Sequence, residues 1–281
     1  MIEVLALFRE ALFGSLIIGL GCSTLGVFVV YRRVVFVAAA LAQLSSAGVA
    51  LAGLLAGLGV GVGAGLDASE LALSLIATFA GVLFFALEGG ERRIPGDARL
   101  GIAFVLAGAA AVLLVAQTAG ADAQALLLGG NILGITGGEI RILSGVILLV
   151  LAINVLLHKE LVFISFDREM AATLGYRTLR WNILLYATLG LMIAVSIRAA
   201  GVLLVFSFLV LPPVTGILLG RSLVGVLCWS AVCGVVAAAL GFIVSVQLDL
   251  PTGPAIVGVS GIALSLVWLF SRAGSDSRWR A

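Results

Sequence analysis

The strongest constraint on this chain is a series of long runs that contain no acidic or basic residue. A helix needs about 20 apolar residues to cross a lipid bilayer, with a range of roughly 17–25. Nine runs of about this length or longer follow one another: 11–30, 34–66, 71–87, 100–119, 142–157, 182–197, 199–220, 222–248 and 250–271. We therefore predict an all-α polytopic membrane protein of about nine transmembrane helices. Eight is the alternative, since the break at 197–201 also fits a kink within an irregular pair of helices.

The basic residues favour nine spans and set an orientation. Lys and Arg concentrate in the cytoplasmic loops of membrane proteins. All but three of the 16 basic residues fall on one side of a nine-span chain, and the exceptions are Arg9, Arg141 and Arg198. The sequence therefore predicts a multi-pass protein of the bacterial inner membrane, with its N-terminus outside and its C-terminus in the cytoplasm.

Composition and motifs argue against a soluble catalytic domain. Only 11% of the residues are charged, against roughly 25% in soluble domains. No glycine-rich segment continues into the Lys–Ser/Thr pair of a phosphate-binding loop. We expect one transmembrane domain over residues 1–281, with no enzymatic activity, no bound cofactor and any ATP used by a partner subunit. Gly53 and Gly57 have the GxxxG spacing that lets helices approach closely in lipid.

The longest polar stretch, residues 158–180, contains a candidate docking element. Its centre, 167–175, predicts a short helix with Asp167 as N-cap and Gly175 as the stop. A short capped helix in a basic cytoplasmic loop suits the docking of a soluble partner. An amphipathic loop helix at the membrane interface is the equal alternative.

Six segments, in order, resemble the ABC permeases that import zinc, manganese or iron ions. They are LGCSTLGVFVVYRRVVFVAAALAQLSSAGVALA, RIPGDARLGIAFVLAG, LLLGGNILGIT, FDREMAATLG, AAGVLLVFSFLVLPPVTGILL and LDLPTGPAIV. The resemblance spans most of the chain. It identifies the region near 166–176 as similar to that family's cytoplasmic coupling helix, with Asp167, Glu169, Ala171 and Gly175 at the matching positions.

The resemblance also implies partners. Such a permease pairs with a second copy or a related permease, docks on two cytoplasmic ATP-binding cassette subunits, and receives cargo from an extracytoplasmic substrate-binding protein. Nucleic acid has no part in this arrangement.

The chain departs from the family at the start of its second span. Typical members carry an Asp and, four residues later, a His that handle the metal ion, and this chain has Ala39 and Gln43 there. Its one histidine is His158, in the polar stretch. No metal ligand is therefore assigned. A neutral amide suits a hydrogen-bonding solute, a metal chelate or a partly hydrated ion better than a bare divalent ion.

Candidate path residues are Ala39, Gln43, Ser46 and Pro212. A hydrogen bond between spans is the alternative role for Gln43, and a helix break is the alternative for Pro212. Three functions remain open: a permease whose cargo is a chelate or small organic molecule, a metal-ion permease that works without the Asp–His pair, and a secondary transporter or non-transporting membrane scaffold. Homo- and heterodimers are both compatible with the sequence.

Overall fold

Long apolar helices account for almost all of the described chain. The computed structural model describes residues 9–58, 65–86, 95–118, 132–166, 170, 173, 174 and 176–276. Its helices are α1 (Arg9–Tyr31), α2 (Val35–Gly57), α3 (Gly65–Ala86), α4 (Gly96–Thr118), α5 (Gly137–Leu156), α6 (His158–Phe166), α7 (Thr178–Leu219), α8 (Leu223–Leu248) and α9 (Thr252–Asp276). A 3-10 turn, Ile132–Gly134, precedes α5. Eight of these helices are long and apolar enough to cross a membrane.

The 42-residue helix α7 folds back on itself at Gly201. A straight helix of that length would be about 63 Å long, roughly twice the hydrocarbon core of a bilayer. The helix is interrupted at Gly201, where φ is 78° and ψ is 165°, a conformation that glycine adopts and other residues rarely do. α7 therefore consists of two legs, 178–200 and 202–219.

Contacts show that the first leg of α7 begins, and the second leg ends, at the same end of the molecule. Near residue 178, Asn182 accepts a hydrogen bond from Arg32, at the C-terminus of α1. Near residue 219, Gly220 lies against Val226, in the first turn of α8. α8 runs antiparallel to α1, because Gly19 lies beside Gly234 and Ala238 while Ser23 lies beside Gly234. The start of α8 is thus beside the end of α1, and the chain reverses direction at Gly201.

This reversal confirms the nine-span prediction, since eight long helices make nine crossings when α7 supplies two. It also corrects the role of the prolines. A helix break was the alternative role for Pro212, but Pro212 and the adjacent Pro213 both lie inside the 202–219 leg. The interruption falls eleven residues earlier, at Gly201, within the predicted break at 197–201.

The two ends of the bundle can be named by their residues. The Glu139 end holds Glu10, Glu70, Glu139 and Arg198, and the Asn182 end holds Arg32, His158, Asn182 and Gly220. α7 is central and packs against α1, α2, α3, α8 and α9. The apolar stretch of α1 is 67% buried, whereas those of α4 and α9 are each 17% buried. Helices α4 and α9 are therefore peripheral, with broad apolar faces available to lipid.

Close helix packing uses glycines other than the predicted GxxxG pair. A Cβ on Gly53 or Gly57 would meet nothing within 4 Å in the described part of the chain. The expectation that this pair brings two helices together is therefore wrong within one chain. Gly19 instead faces Gly234, and Gly48 faces the backbone of Leu73 and Ser74.

Candidate substrate path and docking surface

An ion-pair cluster ties three helices together at the Glu139 end. Arg198, near the turn of α7, lies 3.4 Å from the Oε2 atom of Glu70 on α3 and 2.9 Å from the Oε1 atom of Glu139 on α5. The Oε2 atom of Glu139 also accepts a hydrogen bond of 2.8 Å from the backbone N–H of Thr136, which completes a capping box at the start of α5. The Arg198 side chain is 14% exposed. The cluster therefore joins α3, α5 and α7 where those helices leave the apolar region.

Sequence reasoning noted Arg198 as an exception to the charge bias but missed its partners. Glu70 and Glu139 are far from it in the chain, so their proximity depends on the packing of three helices. The signal available was the excess of acidic residues in the loops at this end. A basic residue there is neutralised locally, and this explains the exception.

The candidate path residues on α2 are uncharged and mostly buried. Ala39 and Ser46 are buried, and Gln43 is half-buried. The Gln43 side chain lies along α4, where a Cβ on Gly108 would be 3.3 Å from its Oε1 atom. Ser45, beside these residues, hydrogen-bonds Ser74 of α3 over 2.8 Å. The structure thus places the side-chain amide of Gln43 against Gly108, and α2 carries no carboxylate or imidazole.

Pro212 belongs to a different layer of the molecule. It is buried in the 202–219 leg, and the adjacent Pro213 packs against Gly26 of α1. Because a proline has no N–H, the carbonyl of Leu209 lacks the intrahelical donor that residue 213 would normally supply. Gly26 lies directly on that carbonyl. Gln43 therefore lies against α4, whereas the proline segment that contains Pro212 contacts α1 through Pro213.

Potential metal ligands are sparse in the described residues. Those residues contain no group of three or more His, Cys, Asp or Glu side chains that could hold a metal ion. His158 makes an edge-on contact with Phe28, with 6.3 Å between ring centroids.

Comparison with known proteins places nearly all of the chain in one family. The family model described as the ABC 3 transport family matches residues 4–271. The chain belongs to the ABC 3 transport family. This result confirms the resemblance drawn from the six sequence segments.

Relatives of this ABC 3 permease cover nearly its full length. It is 27% identical over 264 residues to the manganese transport system membrane protein MntC of Halalkalibacterium halodurans, covering 94% of this chain and 87% of that protein. It is 26% identical over 262 residues to the manganese import system permease protein ScaB of Streptococcus gordonii, covering 90% and 87%. Its fold matches a chain of PsaBC from Streptococcus pneumoniae with a TM-score of 0.82 at 21% identity, covering 95% and 94%.

The coupling residues predicted for this ABC 3 permease, Asp167, Glu169, Ala171 and Gly175, lie outside the described residues. Parts of the same segment are described. The N–H of Leu174 donates to the carbonyl of Met170 over 3.1 Å, and the backbone is helical at Met170 and Thr173. Met170 and Leu174 are 54% and 62% exposed. An apolar, exposed turn therefore projects at the Asn182 end.

Helix α6 was not predicted from the sequence. Residues 158–166 were assigned to the polar stretch, but they form a helix that continues from α5. Tyr176, just before α7, contacts Phe163 of α6 edge-on, with 5.7 Å between ring centroids. This contact fixes the base of the exposed turn against the bundle.

Proposed function

We propose that this ABC 3 permease is the translocation subunit of an ATP-driven importer. Its cargo is a chelate of manganese or of a similar metal, in which the metal ion stays bound to its chelator during transport. The observation that carries the proposal is the uncharged face of α2, with Ala39 and Gln43 on it and Gln43 opposite Gly108. Stripping a divalent ion of water without carboxylate, imidazole or thiolate ligands is very costly in a low dielectric. A chelated metal avoids that step, and the Gln43 amide can hydrogen-bond to the chelator.

The Asn182 end faces the cytoplasm in this proposal. Among the described residues, Arg32, Arg33, Lys159, Arg177, Arg180 and Arg221 lie at or beside that end, whereas Arg9, Arg141 and Arg198 lie at the other. The bias supports an N-terminus outside and a C-terminus inside the bacterial inner membrane.

The partners follow from the same orientation. One ATP-binding cassette subunit docks on the exposed turn around Met170 and Leu174 of this chain, and a second docks on the paired permease. The residues Asp167, Glu169, Ala171 and Gly175 lie in the same segment of the sequence. A substrate-binding protein delivers cargo at the Glu139 end, and a second permease completes the pathway. Hydrolysis of ATP takes place in the cassette subunits, and this chain binds no cofactor.

Relatives named as manganese permeases support a second candidate, import of free manganese without the Asp–His pair. A paired permease that retains the two ligands would then supply the metal site. The two candidates differ in what the unaltered chain transports.

Uptake into vesicles that hold the chain and its cognate ATPase separates these candidates. We expect ATP-dependent uptake of manganese citrate or ferric citrate to exceed uptake of free manganese by about tenfold or more. Introducing Ala39→Asp with Gln43→His should raise uptake of the free ion, because those side chains are suitable ligands. Ala39→Asn with the same Gln43→His is the matched control, since it keeps the size of the Asp without its charge.

The outcomes bear on different parts of the proposal. Strong uptake of free manganese by the unaltered chain would contradict the chelate cargo and leave the permease role intact. Uptake that requires an ion gradient and ignores the ATPase would contradict the importer role itself. A Leu174→Asp variant, which places a charge on the exposed turn, should lose ATP-dependent uptake of every cargo.

A further inference from the structure

A groove at the Asn182 end is separate from the candidate path. It lies between α1, α5 and α8 and has a volume of about 350 Å³. Its walls are mostly apolar and include Phe28, Leu151 and Leu227. Val155 and Val224, also on its walls, are 74% and 63% exposed. The groove therefore opens sideways, toward the lipid.

One buried acceptor on the wall of this groove has no hydrogen-bond donor among the described residues. Asn154 is 7% exposed and lies on the groove wall. Its Nδ2 atom donates to the carbonyl of Val150 over 2.8 Å, but no atom of the described chain donates to its Oδ1 atom. A buried polar atom without a hydrogen bond costs about 1–3 kcal/mol, so this oxygen favours a ligand that supplies a donor.

The other polar groups on the groove are compatible with the same ligand. The hydroxyl of Thr24 donates back to the carbonyls of Leu20 and Gly21, each over 2.9 Å, so only its lone pairs remain available. His158 is held by its ring contact with Phe28. The groove thus combines apolar walls with acceptors, which suits an amphiphile whose polar group donates hydrogen bonds.

Basic residues lie next to the helices that form the groove. Lys159 follows His158, and Arg221 lies three residues before Val224. Both are at the end of the molecule where the membrane meets water. A phosphate group at that level would have cations beside it, whereas the apolar walls extend toward the membrane interior.

We propose that the groove binds one phospholipid from the leaflet at the Asn182 end. Its acyl chain packs against the walls formed by Leu151 and Val155, and a headgroup ammonium or hydroxyl donates to Asn154. Phosphatidylethanolamine and phosphatidylglycerol carry such donors, and phosphatidylcholine has none. Because α5 and α8 both pack against α1 on either side of the groove, the bound lipid fills the space between them.

Lipid retention by the purified full chain with its ATPase tests the proposal. The protein is exchanged into mixtures of phosphatidylethanolamine and phosphatidylcholine with identical acyl chains, and bound lipids are counted by native mass spectrometry. We expect one retained phosphatidylethanolamine with a preference of about five- to tenfold, the size expected for one hydrogen bond.

Two comparisons test the site: Asn154→Leu against the unaltered chain, and Val155→Trp against Leu148→Trp. Asn154→Leu should keep a bound lipid but lose the headgroup preference. Val155→Trp should fill the groove and release the lipid, while Leu148→Trp, 70% exposed two turns earlier on the same helix, should retain it. If Asn154→Leu fails to fold, the comparison of Val155→Trp with Leu148→Trp still tests whether the groove is the lipid site.

Several results would overturn the proposal. Equal retention of both lipids by the unaltered chain would mean that water satisfies Asn154. Unchanged lipid retention by Val155→Trp would exclude the groove as the site. Loss of dimer without loss of lipid in that variant would assign the groove to a second copy of the chain.

Discussion

Arg198 shows how one residue can hold the Glu139 end together. Its guanidinium lies between the carboxylates of Glu70 and Glu139, so helices α3, α5 and α7 share one cation. The group is mostly buried, and removing one member of a buried pair leaves the others without compensation. The two glutamates are each 31% exposed, which reduces that penalty through solvent screening.

We predict that Arg198→Gln lowers the free energy of unfolding by about 1–2 kcal/mol. The change leaves two carboxylates close together at the end of the bundle. Thermal unfolding in a fixed detergent or nanodisc measures the effect. Arg141→Gln, at an exposed position on the same end, is the control and should change little. Equal stability of the two variants would mean that the cluster contributes nothing to the fold.

At the scale of helices, glycine has opposite roles in two places. Gly26 of α1 lies directly against the carbonyl of Leu209, and its Cα–H groups can make the weak contact that a freed carbonyl accepts. Gly53 of α2 has open space around it in the described part of the chain. The same residue type is thus required in one helix and replaceable in another.

We predict that Gly26→Ala destabilises the protein by about 1–3 kcal/mol, because a Cβ there would overlap the Leu209 carbonyl. Gly53→Ala should be neutral or stabilising by up to about 1 kcal/mol, since alanine favours a helix more than glycine does. Thermal unfolding of both variants provides the comparison. A stability loss in Gly53→Ala equal to that in Gly26→Ala would show that Gly53 contacts a second copy of the chain.

How much the sequence predicts depends on the range of the interaction. Apolar runs and the bias of basic residues predicted the nine crossings, because span length and charge are local properties. The position of the reversal in α7 was predicted, but its cause was not, since Gly201 differs from other glycines only in its backbone conformation. The pairing of Arg198 with Glu70 and Glu139 and the placing of Gln43 against Gly108 needed the packing of distant helices. The predicted site residues 167, 169, 171 and 175 remain predictions.

At the scale of the whole molecule, the reversal determines which loops share a side. Residues just before and just after α7 both lie at the Asn182 end, and the turn at Gly201 lies at the Glu139 end. A single unbroken crossing of α7 would instead put residues 177 and 221 on opposite sides. The number of crossings, nine or eight, therefore determines whether residues 177 and 221 lie on the same side of the membrane.

We predict that single cysteines at Arg177 and at Arg221 react with an impermeant thiol reagent from the same side of the membrane. A cysteine at Gly138, an exposed position at the start of α5, should react from the opposite side. These are tested in a background without Cys22, Cys228 and Cys233. Reaction of the Arg177 and Arg221 positions from opposite sides would contradict the reversal.

The hairpin of α7 also has a consequence for biosynthesis. In the proposed orientation, with the Glu139 end outside, Arg198 must cross the bilayer with the tip of the hairpin during synthesis, and an arginine at the centre of a membrane helix costs about 2.5–3.5 kcal/mol. Helices α3 and α5 precede α7 in the chain, so Glu70 and Glu139 are synthesised before that tip. The two carboxylates that neutralise Arg198 are thus made before the arginine that has to cross the membrane.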